Sequence, residues 1–211
     1  MNKPTIHMSP DNKQYIINGR KYARISDVAK AGDNPFLKEW RQRVGEAEAD
    51  RIAKDAADYG DLVHEITMWD DLGAKKKVQL WLRKHPFLAP TLFAWRKWVS
   101  AYIKEWILIE EIVWSDKWMC AGKIDRVGTI IGDPDPSIID LKTGGMWDII
   151  GTQLAGYLIV YNEKTKKKAQ RRLAISLPRK DPGKLIPKEY SEDKYIDEFM
   201  SKADLFRSMN Q

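Results

Sequence analysis

The chain has 211 residues, 43% of them hydrophobic and nine of them tryptophan, enough to build one domain with a sizeable core. Its net charge of +6 with 30 acidic residues retained suits a protein that binds a polyanion and keeps acidic chemistry in one place. The single cysteine, Cys120, excludes an intramolecular disulfide and any all-cysteine zinc or iron–sulfur site; no stretch is long and apolar enough to span a bilayer, and "MNKPTIHMSPDNKQ" lacks the apolar run of a secretory signal, so a reducing, cytoplasmic setting is expected.

In chain order, "QYIINGRKYARI" carries the Asn18-Gly19 signal of a two-residue hairpin turn of type I′. From Gly45 the period becomes helical, with Ile52, Ala56, Tyr59, Val63 and Ile66 forming one apolar face. "AKKKVQLWLRKHP" reads as a short basic helix stopped near Pro86. A second long helix is predicted after Pro90, with Leu92, Trp95, Val99, Tyr102 and Trp106 along one side. Three strands follow: "WILIEEIVWS", "CAGKIDRVGTII" and "SIIDLKT", the last two joined by the turn "GDPDP". The helical period returns from about Met146 to Tyr161, "RRLAISLP" is a further strand, and Ser191 is placed to cap a final helix with Glu192 and Asp193 in its first turn. The order predicts a central mixed sheet with helices against it.

The chemistry concentrates in the middle strands. Alternation puts Asp140 and Lys142 on one face and Leu141 on the other, and pairing of the two strands brings Asp125 beside Asp140. Two carboxylates ~4 Å apart repel by roughly 4 kcal/mol at an effective dielectric near 20. A divalent cation removes that cost, and carboxylate oxygen suits magnesium or manganese. Asp-x-Lys by itself is equally an ion pair on a solvated hairpin. Upstream, "YGDLVHE" sets Gly60 and His64 four apart on one helical face, where glycine permits close backbone approach and imidazole can ligate a metal. Downstream, "GTQLAGY" does the same for Gln153 and Tyr157.

The ordered series Gly60-x-x-x-His64, Glu110, Gly122-x-x-Asp125, Asp140-x-Lys142 and Gln153-x-x-x-Tyr157 resembles the PD-(D/E)xK nuclease superfamily, in particular its RecB-like exonuclease branch, from about Tyr22 to Leu177. The resemblance implies an α/β fold with a restriction-endonuclease-like core: a central mixed sheet flanked by helices, with an N-terminal helical and hairpin extension. It implies a single domain over 1–211, with the extension at 1–45, a catalytic core at 46–190 and a C-terminal helix at 191–211. The implied activity is magnesium- or manganese-dependent hydrolysis of DNA phosphodiester bonds by an exonuclease of recombination, repair or phage DNA processing. His64, Asp125, Asp140 and the backbone carbonyl of Leu141 would bind the metal, Lys142 would position the attacking water, and Gln153 and Tyr157 would orient catalytic groups or contact phosphate. An acidic residue of the preceding strand often joins this shell; Glu110 is favoured over Glu111 because the family places it three before the valine.

With Cys120 alone, the chain departs from the branches that carry a four-cysteine cluster. "NPFLKEWRQRVGEAEADRI" instead resembles the short phage-type or mitochondrial-type exonucleases without clusters, and a bacterial or phage-infected host cell is expected; Trp40 and Arg41 are candidates to grip DNA, with Trp40 equally readable as a buried packing residue. Trp147 is a candidate for stacking on a base and equally for core packing, and "EKTKKKAQRR" offers Lys166, Lys167 and Lys168 to phosphates, although it also reads as a solvated loop. The expected partner is DNA, as single strands or duplex ends, with a single-strand annealing or binding protein as a further one. The alternatives are a structure-specific endonuclease of the same superfamily and a non-catalytic nucleic-acid-binding module on a nuclease fold. A glycosidase-type acid and base pair is disfavoured, because Lys142 would depress the pKa of the carboxyl that must stay protonated.

Overall fold

The computed structural model describes residues 3–32 and 35–208. Its centre is an eight-stranded mixed sheet: β1 (Ile6–Met8), β2 (Gln14–Ile17), β3 (Arg20–Arg24), β4 (Ile103–Ser115), β5 (Cys120–Ile130), β6 (Pro136–Lys142), β7 (Arg171–Ser176) and β8 (Ile186–Glu189). The strands run in the order β1-β2-β3-β5-β6-β7-β8, with β4 pairing against β5. The helices are α1 (Ile25–Lys30), α2 (Pro35–Val44), α3 (Glu46–Asp71), α4 (Lys75–Lys84), α5 (Ala89–Tyr102), α6 (Asp148–Lys164) and α7 (Lys194–Ser208). Among the described residues no helix is long and apolar enough to cross a membrane.

The N-terminal hairpin forms as its turn chemistry dictates. Asn18 and Gly19 have φ of 50° and 80°, the paired positive values of a type I′ turn, and β2 and β3 leave it in antiparallel register. β3 then joins β5 in parallel through Ala23 and Arg24, so the N-terminal strands are built into the main sheet.

Both faces of the sheet are covered, and this explains why the middle strands read as nearly unbroken apolar runs. In β6 and β7, Ile138 and Ala174 pack into a core shared with α1, α6 and α7, while Ile139, Leu141, Leu173 and Ile175 pack into a second core shared with α3, α4 and α5. In β5 the alternation slips. Ile124 and Val127, three apart, lie in the same α6-side core, and the slip falls at Asp125.

Three predicted elements differ from those observed. Of the apolar face predicted for α3, Tyr59, Val63 and Ile66 are buried, whereas Ile52 and Ala56 are exposed; in the first turns, where α2 packs against α3, it is Ala49 that is buried. The helix after Pro90 stops at Tyr102, and Trp106 lies in β4 instead, since Ile103 pairs with Ile130 and the chain crosses into the sheet. The last helix begins at Lys194, with the carbonyl of Asp193 accepting from the Ile196 and Asp197 amides.

Candidate metal centre

Four elements converge where β5 and β6 part company. The antiparallel ladder between them begins at Arg126 opposite Ile139 and runs back to Thr129 opposite Pro136. On the other side of Arg126 no backbone pair continues it. There the Asp125 carboxylate takes over, its Oδ2 accepting from the Leu141 N–H at 2.7 Å. A side chain thus substitutes for a missing rung, and its second oxygen, Oδ1, is left facing α3 at 3.5 Å from His64 Nδ1.

His64 stands on the buried stretch of α3, between Val63 and Ile66. Its Nδ1 also lies 3.3 Å from Glu110 Oε1 on β4. Glu110 reaches that position through a backbone irregularity: its φ is 54°, a left-handed value in the middle of a strand, and its side chain is only 7% exposed, whereas Glu111 beside it faces solvent. The ligand atoms of His64, Glu110 and Asp125 lie within 4.8 Å of one another, the one such group of three among the described residues. They line a groove of about 520 Å³ together with Glu65, Met68 and Lys123. A larger hollow of about 720 Å³, bounded by α1, α2 and Lys202, gathers no comparable set.

Asp140 stands next to this group without belonging to it. One oxygen accepts from Gln153 Nε2 at 3.3 Å, and the other faces the Lys142 ammonium directly. Asp140 and Lys142 therefore share a face, with Leu141 buried in the opposite core, as strand alternation requires. Gln153 also hydrogen-bonds Tyr157, whose ring lies against Gly122: a Cβ on that glycine would come within 2.7 Å of the ring, so the close approach needs glycine. Gly60 is different. A Cβ there would meet only Thr143 Oγ1 at an ordinary 3.5 Å, so the expected close approach is absent at that position.

The electrostatics of the group follow from its crowded, buried carboxylates. Burial alone would push His64 down, but the Asp125 and Glu110 carboxylates, with Asp140 beyond them, raise it to about 8. Asp140 is raised by burial and by the Asp125 charge, which together outweigh Lys142. Lys142 is itself raised: burial opposes its charge, and Asp140 and Asp125 prevail. Glu110 is lowered despite its burial, because His64 and Lys123 face it. Tyr157 is held well above its ordinary value by burial and by both aspartates, so it is a neutral donor. His64 shares these carboxylates with Lys123, Arg126 and Lys142. Two buried oxygens, Glu110 Oε2 and Asp140 Oδ2, face lysines yet receive no well-angled hydrogen bond. An imidazole nitrogen together with two carboxylates is a donor set that can hold a divalent cation, the carboxylate oxygens being the part that suits magnesium or manganese.

The other residues singled out in the sequence scatter. Trp147 precedes α6 with its ring 71% exposed and lying against Gly145. Trp40 is half-buried on α2, and Arg41 is engaged by Glu46 and Asp50. Lys166, Lys167 and Lys168 are exposed in the loop after α6; Gln153 to Lys164 is eleven helical residues, about 16 Å, which puts that loop at the far end of the helix from the site. Two basic residues of β5 were not singled out from sequence. Lys123 pairs with Glu110 at 2.7 Å, and Arg126 is buried beneath the site. The signal was present in "KIDRV", where charges flank Asp125 in an otherwise apolar strand. No protein-family model and no curated protein matches the chain.

Proposed function

We propose that the protein is a divalent-metal-dependent deoxyribonuclease with a restriction-endonuclease-like core, in keeping with the resemblance of its ordered motifs to RecB-like exonucleases. The observation that carries this reading is the convergence of His64, Glu110 and Asp125 beside the Asp140–Lys142 pair. Helix α3 and three strands contribute to it, and a set of charges drawn from four elements is poorly explained as surface or as core. His64, Glu110 and Asp125 would hold the cation, with Asp140 at its margin. When bound, such an ion supplies Lewis acidity to a phosphate oxygen and to water.

The chain's own groups do the rest. Lys142 remains charged within reach of the pocket, where its ammonium can align a water and offset negative charge developing on the phosphate. Asp140 anchors that ammonium, and Gln153 fixes the Asp140 carboxylate from the α6 side. In hydrolysis a bond forms from water oxygen to phosphorus, the bond to one sugar oxygen breaks, and the proton lost by water ends on the leaving oxygen. Trp147, exposed just before α6, would be available to stack on a base.

A labelled linear oligonucleotide and a circular single strand, incubated with magnesium, manganese or chelator, test the reading. Metal-dependent cutting of the linear form alone is the expected result for an exonuclease. Cutting of the circle as well identifies an endonuclease of the same chemistry. Binding without any metal-dependent cutting would favour a non-catalytic nucleic-acid-binding module, which the basic net charge also suits.

A further inference from the structure

Arg126 has a fully buried side chain in β5, beside the buried Asp125 and between the apolar Ile124 and Val127. Its guanidinium spans three elements. Nε donates to Asp71 Oδ2 at 2.7 Å and Nη2 to Thr67 Oγ1 at 3.2 Å, both on α3. Nη1 donates to Glu110 Oε1 on β4 at 3.0 Å and to the Asp125 carbonyl on its own strand at 2.7 Å. Trp95 covers the group and donates its own N–H to Asp71 at 3.0 Å.

Stability is a weak reason for such an arrangement. Removing a guanidinium and its carboxylate partners from water costs several kcal/mol per ion, and well-packed apolar residues commonly do as well or better. What the arginine contributes is position. His64, Thr67 and Asp71 fall on one face of α3, three and four residues apart, so Arg126 grips the face that presents His64. Thr67 extends the grip: its hydroxyl accepts from Arg126 and hydrogen-bonds back to the carbonyls of Val63 and His64. Glu110, for its part, holds a left-handed backbone conformation that a non-glycine residue keeps only where the surroundings over-determine it. Arg126 on Oε1 and Lys123 on Oε2 are what over-determine it.

We infer that Arg126 is a positioning residue: it turns the Glu110 carboxylate toward His64 and locks the α3 face carrying that histidine against β5, so that the three ligand groups meet before any cation arrives. The metal part of this inference rests on the proposed nuclease reading; the positional part does not.

The test separates the two. Metal-free crystal structures of wild type, Arg126→Lys and the double variant Asp71→Asn/Arg126→Met are compared. The double variant removes both halves of the buried pair and so leaves less uncompensated charge than Arg126→Met alone. Glu110 is expected to leave its left-handed conformation and withdraw from His64 in both variants, because a lysine nitrogen cannot span Asp71, Thr67 and Glu110 together. Retention of φ near its present value with Glu110 still beside His64 overturns the inference, whether or not the protein is a nuclease. In parallel, manganese binding to the protein without DNA is measured by electron paramagnetic resonance. Affinity should fall on the order of 10- to 100-fold, the usual loss for a group that orients a ligand, with turnover largely recovered at saturating manganese. Unchanged manganese affinity in a variant whose wild type binds the ion also overturns it. A wild type that binds no manganese sinks the nuclease reading, and the crystal structures then decide the positional claim alone.

Discussion

Two helices are fixed to neighbouring elements in opposite ways. Helix α7 meets α6 through an apolar contact so close that a Cβ on Gly156 would lie 2.4 Å from the Phe199 ring, and Phe199, Tyr195 and Ala203 are all buried there. Helix α3 packs over the sheet through Val63 and Ile66, in the core that holds Ile139 and Leu141, and is tied to β5 through the Arg126, Asp71 and Thr67 network beneath the site. The apolar part of the first contact is non-directional and contributes to stability in proportion to area, alongside the Thr152–Glu198 and Tyr195–Asp148 hydrogen bonds. The second is costly to desolvate and contributes direction. Damage to one should therefore appear in unfolding, and damage to the other in ligand geometry.

The comparison breaks most visibly at Phe199. Phe199→Ala should cost about 3–5 kcal/mol in denaturant unfolding, with cleavage per folded molecule retained; a loss of activity without a loss of stability would show that the two regions are not separable. Next comes Lys142→Ala, expected to lower the cleavage rate on the order of 10²–10³-fold, the scale for removing one group that stabilises developing charge. Its melting temperature should stay close to wild type, and an active Lys142→Ala enzyme would remove the lysine from the mechanism.

A smaller effect is expected with pH. His64 is raised to about 8 from 6.5, so its contribution is complete below pH 6.5 and disappears as pH rises through 8. Unfolding of metal-free protein should accordingly lose up to about 2 kcal/mol between pH 6 and 9 from this group, and His64→Asn should flatten that part of the slope. Parallel pH profiles for the two proteins would mean that the carboxylates do not hold the proton there. The smallest effect sharpens the choice between adjacent acids. Glu111 is exposed, so Glu111→Gln should leave rate and stability nearly unchanged, within about 0.5 kcal/mol, whereas Glu110→Gln should weaken manganese binding. Reversed behaviour would reassign the ligand.

Much of the scaffold could be read in advance where a local signal was sufficient. Asn18-Gly19 specified its turn, the three apolar strands from β4 to β6 appeared in order, and α6 announced itself by period. Misreadings fell where no local residue marks a boundary. Nothing in "SAYIKEWIL" is a helix breaker, and the change from α5 to β4 is imposed by pairing with β5. β8, with Pro187 inside it, has no counterpart among the predicted elements because a short edge strand carries little pattern; it exists through its ladder with β7.

Sequence alone determined the order of His64, Glu110, Asp125, Asp140 and Lys142 along elements of the right kind, because helical and strand periods are properties of a few adjacent residues. Only the tertiary structure decided that Glu110 turns inward while Glu111 does not, that Asp140 serves Lys142 and stands outside the His64 group, and that Arg126 ties α3, β4 and β5 together. Those outcomes depend on a positive φ, a ladder that ends at Arg126, and charges brought together from distant positions in the chain. Such effects are set by packing, and no short stretch of sequence encodes them.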